Sequence, residues 1–155
     1  MKKLLSILLC LSLCVTFAVA EDYFSANDLE PCAIKSVYKI DDIFSIYANE
    51  SKGVTSEALS GDNAERIAED GEVFNVRIKL NGSGKVDYRS IRFVATAGST
   101  LKVYTNSSSK DTARTLLVVN VATGATIAEL TAPVDSSVAG YAECKLPEKG
   151  EYAIY

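Results

Sequence analysis

Four basic side chains in the middle of the chain have the types and spacing of an anion-binding site. Arg77 and Lys79 alternate with apolar residues in one predicted strand, so both project from its polar face, with side chains about 7 Å apart. Arg92 and Lys102 take outward positions in two later strands by the same alternation. Guanidinium and ammonium groups pair with carboxylates, and the planar fork of arginine does so bidentately. The sequence therefore predicts an anion site made of these four residues.

The distribution of charge agrees with that prediction. Residues 73–120 contain eight Lys/Arg and two Asp/Glu, a balance of +6, whereas residues 21–72 carry −9 and residues 121–155 carry −3. A basic segment inside an acidic protein is a candidate anion-binding surface. The alternative is a set of solvated strand faces whose cations are neutralised by acidic neighbours, and both interpretations stay open at this point.

The chain contains no His and no Trp. Without His it lacks the usual general base and the commonest metal ligand, which excludes Ser-His-Asp catalysis, Cys-His catalysis and His-ligated zinc sites. No other paired catalytic constellation is visible, so we expect a protein that is not an enzyme. Loops rich in Asn, Asp and Glu offer the oxygen ligands that calcium takes. Because these ligands lack regular spacing, a structural calcium is only weakly indicated and no other cofactor is expected.

The N-terminus has the three parts of a secretory signal peptide. Lys2 and Lys3 precede a short apolar run, and Ala18-Val19-Ala20 provides a small-x-small exit. The run is shorter than the roughly 20 apolar residues needed to cross a bilayer. We therefore expect cleavage after Ala20, secretion of residues 21–155, and neither a membrane nor a nucleic acid as a partner.

Short stretches with a period of two, bounded by Gly, Ser, Asn and Asp, dominate the mature chain. Phe74 to Leu80 alternates apolar and polar residues, and Arg114 to Val121 is almost continuously apolar and β-branched. The first pattern predicts a strand with one buried face, and the second a central strand covered on both sides. About eight strands are expected, which predicts an all-β fold, an antiparallel β-sandwich of the jelly-roll type. The one helix-like piece, Asn63 to Glu69, is too short to stand alone, so we expect a loop with a helical turn there.

Two cysteines remain in the mature chain, Cys32 and Cys144. Outside the cytosol they can form a disulfide, which stabilises a chain with so long a loop by roughly 3–5 kcal/mol. Two free thiols are the alternative, and the sequence favours neither.

The middle of the chain also carries a family resemblance. The strings Arg77-Ile78-Lys79-Leu80-Asn81-Gly82-Ser83-Gly84, Tyr88-Arg89-Ser90-Ile91-Arg92-Phe93 and Leu101-Lys102-Val103-Tyr104 resemble the non-catalytic β-sandwich module attached to secreted bacterial pectate lyases. The similarity covers roughly residues 43–155. We therefore assign residues 1–20 to the signal peptide, 21–42 to an N-terminal lead-in segment, and 43–155 to a carbohydrate-binding-like domain.

The resemblance implies a carbohydrate-binding module for pectin, an acidic polysaccharide whose galacturonate carboxylates pair with basic side chains. It also implies that the sandwich lacks its last strand, because relatives usually turn once more beyond the position of Tyr155 and add a closing strand. A missing strand leaves an open edge, and open edges invite pairing with another chain. The alternatives are therefore a structural or interaction protein that pairs through this edge, or a truncated fragment of a pectate lyase-associated protein.

Overall fold

The computed structural model of the protein describes residues 21–61 and 64–155, and the predicted signal peptide lies outside these described residues. They contain fourteen strands and a 3-10 helix at Ala26–Asp28. In chain order the strands are β1 (Cys32–Ile34), β2 (Tyr38–Lys39), β3 (Phe44–Tyr47), β4 (Val54–Ala58), β5 (Arg66–Ala68), β6 (Val73–Phe74), β7 (Val76–Lys79), β8 (Ser90–Ala95), β9 (Thr100–Tyr104), β10 (Arg114–Asn120), β11 (Thr126–Ala132), β12 (Val138–Ala139), β13 (Tyr141–Lys145) and β14 (Gly150–Ile154). Within these ranges no helix is long and apolar enough to cross a membrane.

The strands form one large sheet and three small ones. The large sheet has six antiparallel strands in the order β11-β10-β14-β8-β3-β2. Two small sheets, β1-β4-β7 and β13-β9, are also antiparallel. The third, β12-β5-β6, contains one parallel pair, β12 with β5. The predicted all-β, antiparallel β-sandwich is confirmed, with this parallel pair as an addition.

The hydrophobic core divides into two clusters, and the large sheet contributes to both. Phe93 and Tyr152 of the large sheet are buried in the first cluster, against which apolar residues of β9 and β13 pack. Ile46 of the large sheet is buried in the second cluster, together with Ile34 of β1 and Val54 of β4. Each of these two small sheets therefore covers its own part of the large sheet, as burial of apolar surface requires.

The described residues hold more strands than the eight predicted because several strands are only two or three residues long. Segments such as Tyr38–Lys39 and Val73–Phe74 are too short to show a period of two. The predicted strand Phe74 to Leu80 is also interrupted at Asn75. There the amide of Asn27 donates to the Val73 carbonyl and accepts from the Asn75 backbone N–H. The 3-10 helix of the lead-in segment thus holds the bend between β6 and β7.

The prediction of a loop with a helical turn at Asn63 to Glu69 is wrong for the part that the structure describes. Arg66–Ala68 is strand β5, which pairs with β6 on one side and β12 on the other. Local sequence gave only a weak helical signal here, and tertiary pairing overrides such weak preferences.

The expectation of an open edge at the C-terminus is also wrong. Strand β14 lies inside the large sheet, where its backbone pairs with β10 on one side and β8 on the other. Tyr152 and Ala153 of this strand are both fully buried. The edges of the large sheet are β11 and β2 instead. Alternation along a strand shows which residues face the core, but it does not show which strands are neighbours.

Both cysteines are free thiols, which is the second of the two alternatives left open by the sequence. Cys32 begins β1, whereas Cys144 lies in β13 and packs against the first cluster. The two strands cover different parts of the large sheet, so the fold does not bring the two thiols together. Burial raises the pKa of the Cys144 thiol, which disfavours its reactive thiolate form.

Candidate anion-binding site

The best-supported part of the predicted site is a pair of cations on strand β7. Arg77 stands directly opposite Glu57 of β4 in the sheet register. Its Nε and Nη2 lie 2.7 and 2.5 Å from Glu57 Oε1, and Lys79 Nζ lies 3.9 Å from the same oxygen. Arg77 and Lys79 therefore share one face of β7, as alternation predicts, and they share one carboxylate.

A turn directly after β7 fixes this pair against β4. Asn81 and Gly82 have φ angles of 59° and 120°, and the second of these is a conformation that glycine adopts without steric cost. The Asn81 amide donates to Thr55 Oγ1 over 2.8 Å. Because Thr55 is the register partner of Lys79, this bond fastens the end of β7 beside the lysine.

The cluster of Arg77, Lys79 and Glu57 keeps an excess positive charge. Two cations surround one carboxylate, so the net charge is +1. The Arg77 and Lys79 side chains are 35% and 43% exposed, which leaves both accessible to a ligand. We call this group the β7 cluster.

Arg92 lies in a different environment from the one that alternation predicts. Its side chain is only 12% exposed, so the predicted outward, solvent-facing position is wrong. The guanidinium carbon lies 3.7 Å from the centre of the Tyr47 ring, and Nε donates to the Val86 carbonyl over 3.1 Å. Strand β8 is an inner strand of the large sheet, and loop and neighbouring-strand residues cover its polar face. The Arg92 side chain therefore contacts Tyr47, Val86 and carboxylates of the fold instead of bulk solvent.

The carboxylates around Arg92 outnumber it. Nη2 lies 3.0 Å from Asp87 Oδ1, and Nη1 lies 3.5 Å from Glu151 Oε1. One cation between two carboxylates gives a net charge of −1. We call this group the β8 cluster, and its charge opposes the binding of an anion.

Lys102 projects from the outer face of β9 but is also engaged within the protein. Its Nζ lies 2.5 Å from Asp70 Oδ2 and within 5 Å of the centres of the Tyr104 and Tyr141 rings, at 4.9 and 4.4 Å. The Tyr104 hydroxyl donates to the same carboxylate oxygen. The hydrogen bond from Lys102, followed by that from Tyr104, lowers the pKa of Asp70 to about 2. The lysine and its carboxylate neutralise each other.

An open groove of about 2330 Å³ is lined by residues of the large sheet and of the small sheets. Arg77, Lys79 and Lys102 line the groove, whereas Arg92 does not. Apolar side chains, including Phe93 and Leu101, form much of the remaining lining. The structure therefore brings three of the four predicted residues to one groove and separates the fourth from them.

Sequence reasoning missed the carboxylates that pair with these cations. Glu57 and Asp70 lie 20 and 32 residues before their partners Arg77 and Lys102. Only the register between β4 and β7 places Glu57 opposite Arg77. The strong acidic charge of residues 21–72 was the signal available, and it agrees with the alternative in which acidic neighbours neutralise strand cations.

The described residues form no candidate metal-binding site. In residues 21–61 and 64–155, no three or more Cys, Asp and Glu side chains are grouped to hold a metal ion.

No protein-family model matches the sequence, and no curated protein is matched by it.

Proposed function

We propose that the protein is a secreted, non-catalytic carbohydrate-binding module for an acidic polysaccharide of the pectin type, which it contacts first through Arg77 and Lys79. The observation that carries the proposal is the β7 cluster, because it combines a net charge of +1 with side-chain exposures of 35% and 43% at the edge of a groove. An arginine and a lysine on one strand face suit successive carboxylates of an extended polymer.

The groove next to the β7 cluster supports the same ligand class. Sugar rings have apolar C–H faces, which pack on half-buried apolar lining such as that formed by Phe74 and Leu101. Carboxylates at the edges of the polymer then reach the cations at the groove margin. Lys102 takes a secondary role in this proposal because Asp70 already neutralises it, and Arg92 drops out of the ligand contacts.

Affinity electrophoresis with immobilised polymer tests the proposal. The protein should be retarded by de-esterified polygalacturonate and much less by the methyl-esterified polymer, because the ester keeps the shape but removes the charge. Added salt should weaken retention, since exposed charge pairs are screened beyond about 10 Å at 0.1 M ionic strength. Equal retention by both polymers, or retention that salt leaves unchanged, contradicts an ionic polysaccharide site.

A second candidate function is protein interaction through an exposed aliphatic row. Val138, Ile67 and Val73 are consecutive cross-strand partners in the small sheet β12-β5-β6. Their exposed fractions are 56%, 49% and 41%, so the row places contiguous apolar surface in water. Such surfaces are typical of contacts between proteins. This row, and not a C-terminal edge, is the feature that favours the interaction alternative.

Sedimentation equilibrium separates the two candidates. If the row is a self-association surface, the wild type should dimerise at micromolar concentration and Ile67→Lys should remain monomeric. Tyr23→Lys, which alters another highly exposed side chain outside the row, is the control. A wild type that stays monomeric to high concentration removes self-association and leaves polysaccharide binding as the better candidate.

A further inference from the structure

A small polar cavity lies beside the β7 cluster. Its volume is about 290 Å³, and Arg77 belongs both to this cavity and to the β7 cluster. Four of the residues that line it are charged, two arginines and two carboxylates. The lining residues are Glu57, Ala58, Leu59, Ser60, Arg66, Arg77 and Asp135.

The two arginines are held in place by the two carboxylates. Arg66 is only 7% exposed, and its Nη2 donates to Asp135 Oδ1. Arg77 uses Nε and Nη2 to bind Glu57. Preorganised guanidinium groups of this kind lose little freedom when they bind a further acceptor.

Within the described ranges, each arginine has nitrogens that bond to no protein acceptor, and one of them, Nε of Arg66, is fully buried. In the described part of the chain, Nη1 of Arg66 and Nη1 of Arg77 have no hydrogen-bond partner, and neither belongs to the fully buried atoms left without one. Both side chains line the cavity. A carboxylate has two oxygens and can accept one N–H from each guanidinium group.

Charge and volume limit what this cavity can bind. The two arginines of the lining balance Glu57 and Asp135, and Lys79, which lies 3.9 Å from Glu57 but outside the lining, brings the combined group to a net charge of +1. One carboxylate neutralises that charge, whereas a dianion overcompensates it. The volume of about 290 Å³ equals that of about ten water molecules in the liquid, which is room for one sugar acid and not for a chain of them.

We propose that this cavity, the Arg66–Arg77 pocket, binds a single carboxylate-bearing sugar unit: the end residue of an acidic saccharide or a free sugar acid. The identification of the ligand as a sugar rests on the proposed function; the choice of one singly charged unit rests on the volume of the pocket and on its charge together with the adjacent Lys79. A pocket of this size beside an open groove gives the protein a means to recognise chain ends in addition to chain interiors.

Titration with monomeric galacturonate, followed by calorimetry and by NMR of the arginine side chains, tests this pocket. Galacturonate should bind with a dissociation constant of about 1 mM, as expected for a ligand held by a few charge-assisted bonds. Galactose and the methyl ester of galacturonate have similar shape without the charge, and should bind at least about tenfold more weakly. Equal binding of galacturonate and galactose overturns the proposal.

A pair of matched variants locates the binding. Ser60→Phe fills the pocket from its exposed rim without removing a charge and should weaken galacturonate binding by at least about tenfold. Ser36→Phe makes the same change at an exposed serine between β1 and β2, and should bind like the wild type. If Ser60→Phe binds galacturonate as tightly as the wild type does, the pocket is not the binding site. Both serines are exposed. Circular dichroism checks that both variants fold.

Two further ligands separate this inference from the proposed function. Polymer retention without monomer binding rejects the pocket and keeps the polysaccharide site, whereas monomer binding without polymer retention does the reverse. Trigalacturonate identifies the source of the bound unit. If it binds at least as tightly as the monomer, the pocket takes chain ends; if only the monomer binds, the pocket takes the free acid.

Discussion

The β7 cluster and the β8 cluster contain the same chemical groups in opposite proportion. In the β7 cluster, Arg77 and Lys79 surround the single carboxylate of Glu57. In the β8 cluster, Asp87 and Glu151 surround the single guanidinium group of Arg92. The first group has a net charge of +1 and the second has −1, although both contain arginines on strand faces that alternation assigns as polar.

Exposure follows the same division. Arg77 is 35% exposed, whereas Arg92 is 12% exposed and is also stacked on the Tyr47 ring. Arg77 is therefore exposed enough to bind an external anion. Arg92 instead uses its N–H donors for contacts within the protein. The lesson is that a count of cations along the sequence overstates an anion site until the carboxylates around each cation are known.

The largest expected difference between the clusters is in ligand binding. Replacing Arg77 and Lys79 together by Ala should reduce affinity for de-esterified polygalacturonate by roughly tenfold to a hundredfold, because two charge-assisted contacts are lost. Arg92→Ala should change it by less than about twofold. Affinity electrophoresis of both variants measures this. A double variant that migrates like the wild type refutes the β7 cluster as the site.

The free energy of unfolding should depend more on the β8 cluster than on the β7 cluster, which is the opposite of the order expected for ligand binding. Arg92→Ala removes packing on Tyr47, removes one of the two hydrogen bonds to the Val86 carbonyl and leaves Asp87 and Glu151 without their cation, so we expect a loss of about 2 kcal/mol. Lys79→Ala should cost less than about 0.5 kcal/mol, as is usual for an exposed ion pair. Urea unfolding followed by circular dichroism gives both values. Equal losses in the two variants contradict the assignment of Arg92 to the fold.

Removing one carboxylate from each cluster sharpens the comparison further. Glu57→Gln keeps an acceptor for Arg77 but raises the net charge of the β7 cluster from +1 to +2. One added charge near the ligand should increase polymer affinity by about threefold at low salt. Glu151→Gln, its counterpart in the β8 cluster, should leave affinity unchanged. If Glu57→Gln weakens binding, the ligand contacts lie elsewhere or depend on the native ion pair.

The smallest effect is expected at the neutral pair of Lys102 and Asp70. Hydrogen bonds from Lys102 and Tyr104 lower the pKa of Asp70 to about 2 from a usual value of 3.8. A carboxyl group with a lowered pKa stabilises the folded state above its unfolded pKa, and this contribution is lost as the pH falls through its folded pKa. The contribution of Asp70 should therefore be complete above about pH 5, should fall as the pH drops through the unfolded and folded pKa values, and should vanish by about pH 1.

Urea unfolding of the wild type and Asp70→Asn at pH 5, 3 and 2 tests this dependence. The difference in stability between the two proteins should shrink as the pH falls. Asp111→Asn, at an exposed loop position, is the control and should follow the wild type at each pH. A constant difference between wild type and Asp70→Asn would show that the ionised form of Asp70 contributes nothing.

The sequence by itself determined the fold class and the face of each long strand. Alternation from Val76 to Lys79 placed Arg77 and Lys79 on one face, and the continuous apolar run after Arg114 identified β10 as an inner strand. Both results follow from the backbone geometry of a strand, which sends successive side chains to opposite faces. No knowledge of neighbouring strands is needed for them.

Only the tertiary structure decided strand order, strand count and charge balance. The position of β14 between β10 and β8, and that of Glu57 opposite Arg77, depend on pairings between segments distant in sequence. In the sequence Arg92 and Arg77 have equivalent positions on polar strand faces. In the structure Arg92 is covered by neighbouring elements, whereas Arg77 remains partly exposed. The physical reason is that alternation gives the direction of a side chain, whereas its partners and exposure depend on what the rest of the chain packs against that face.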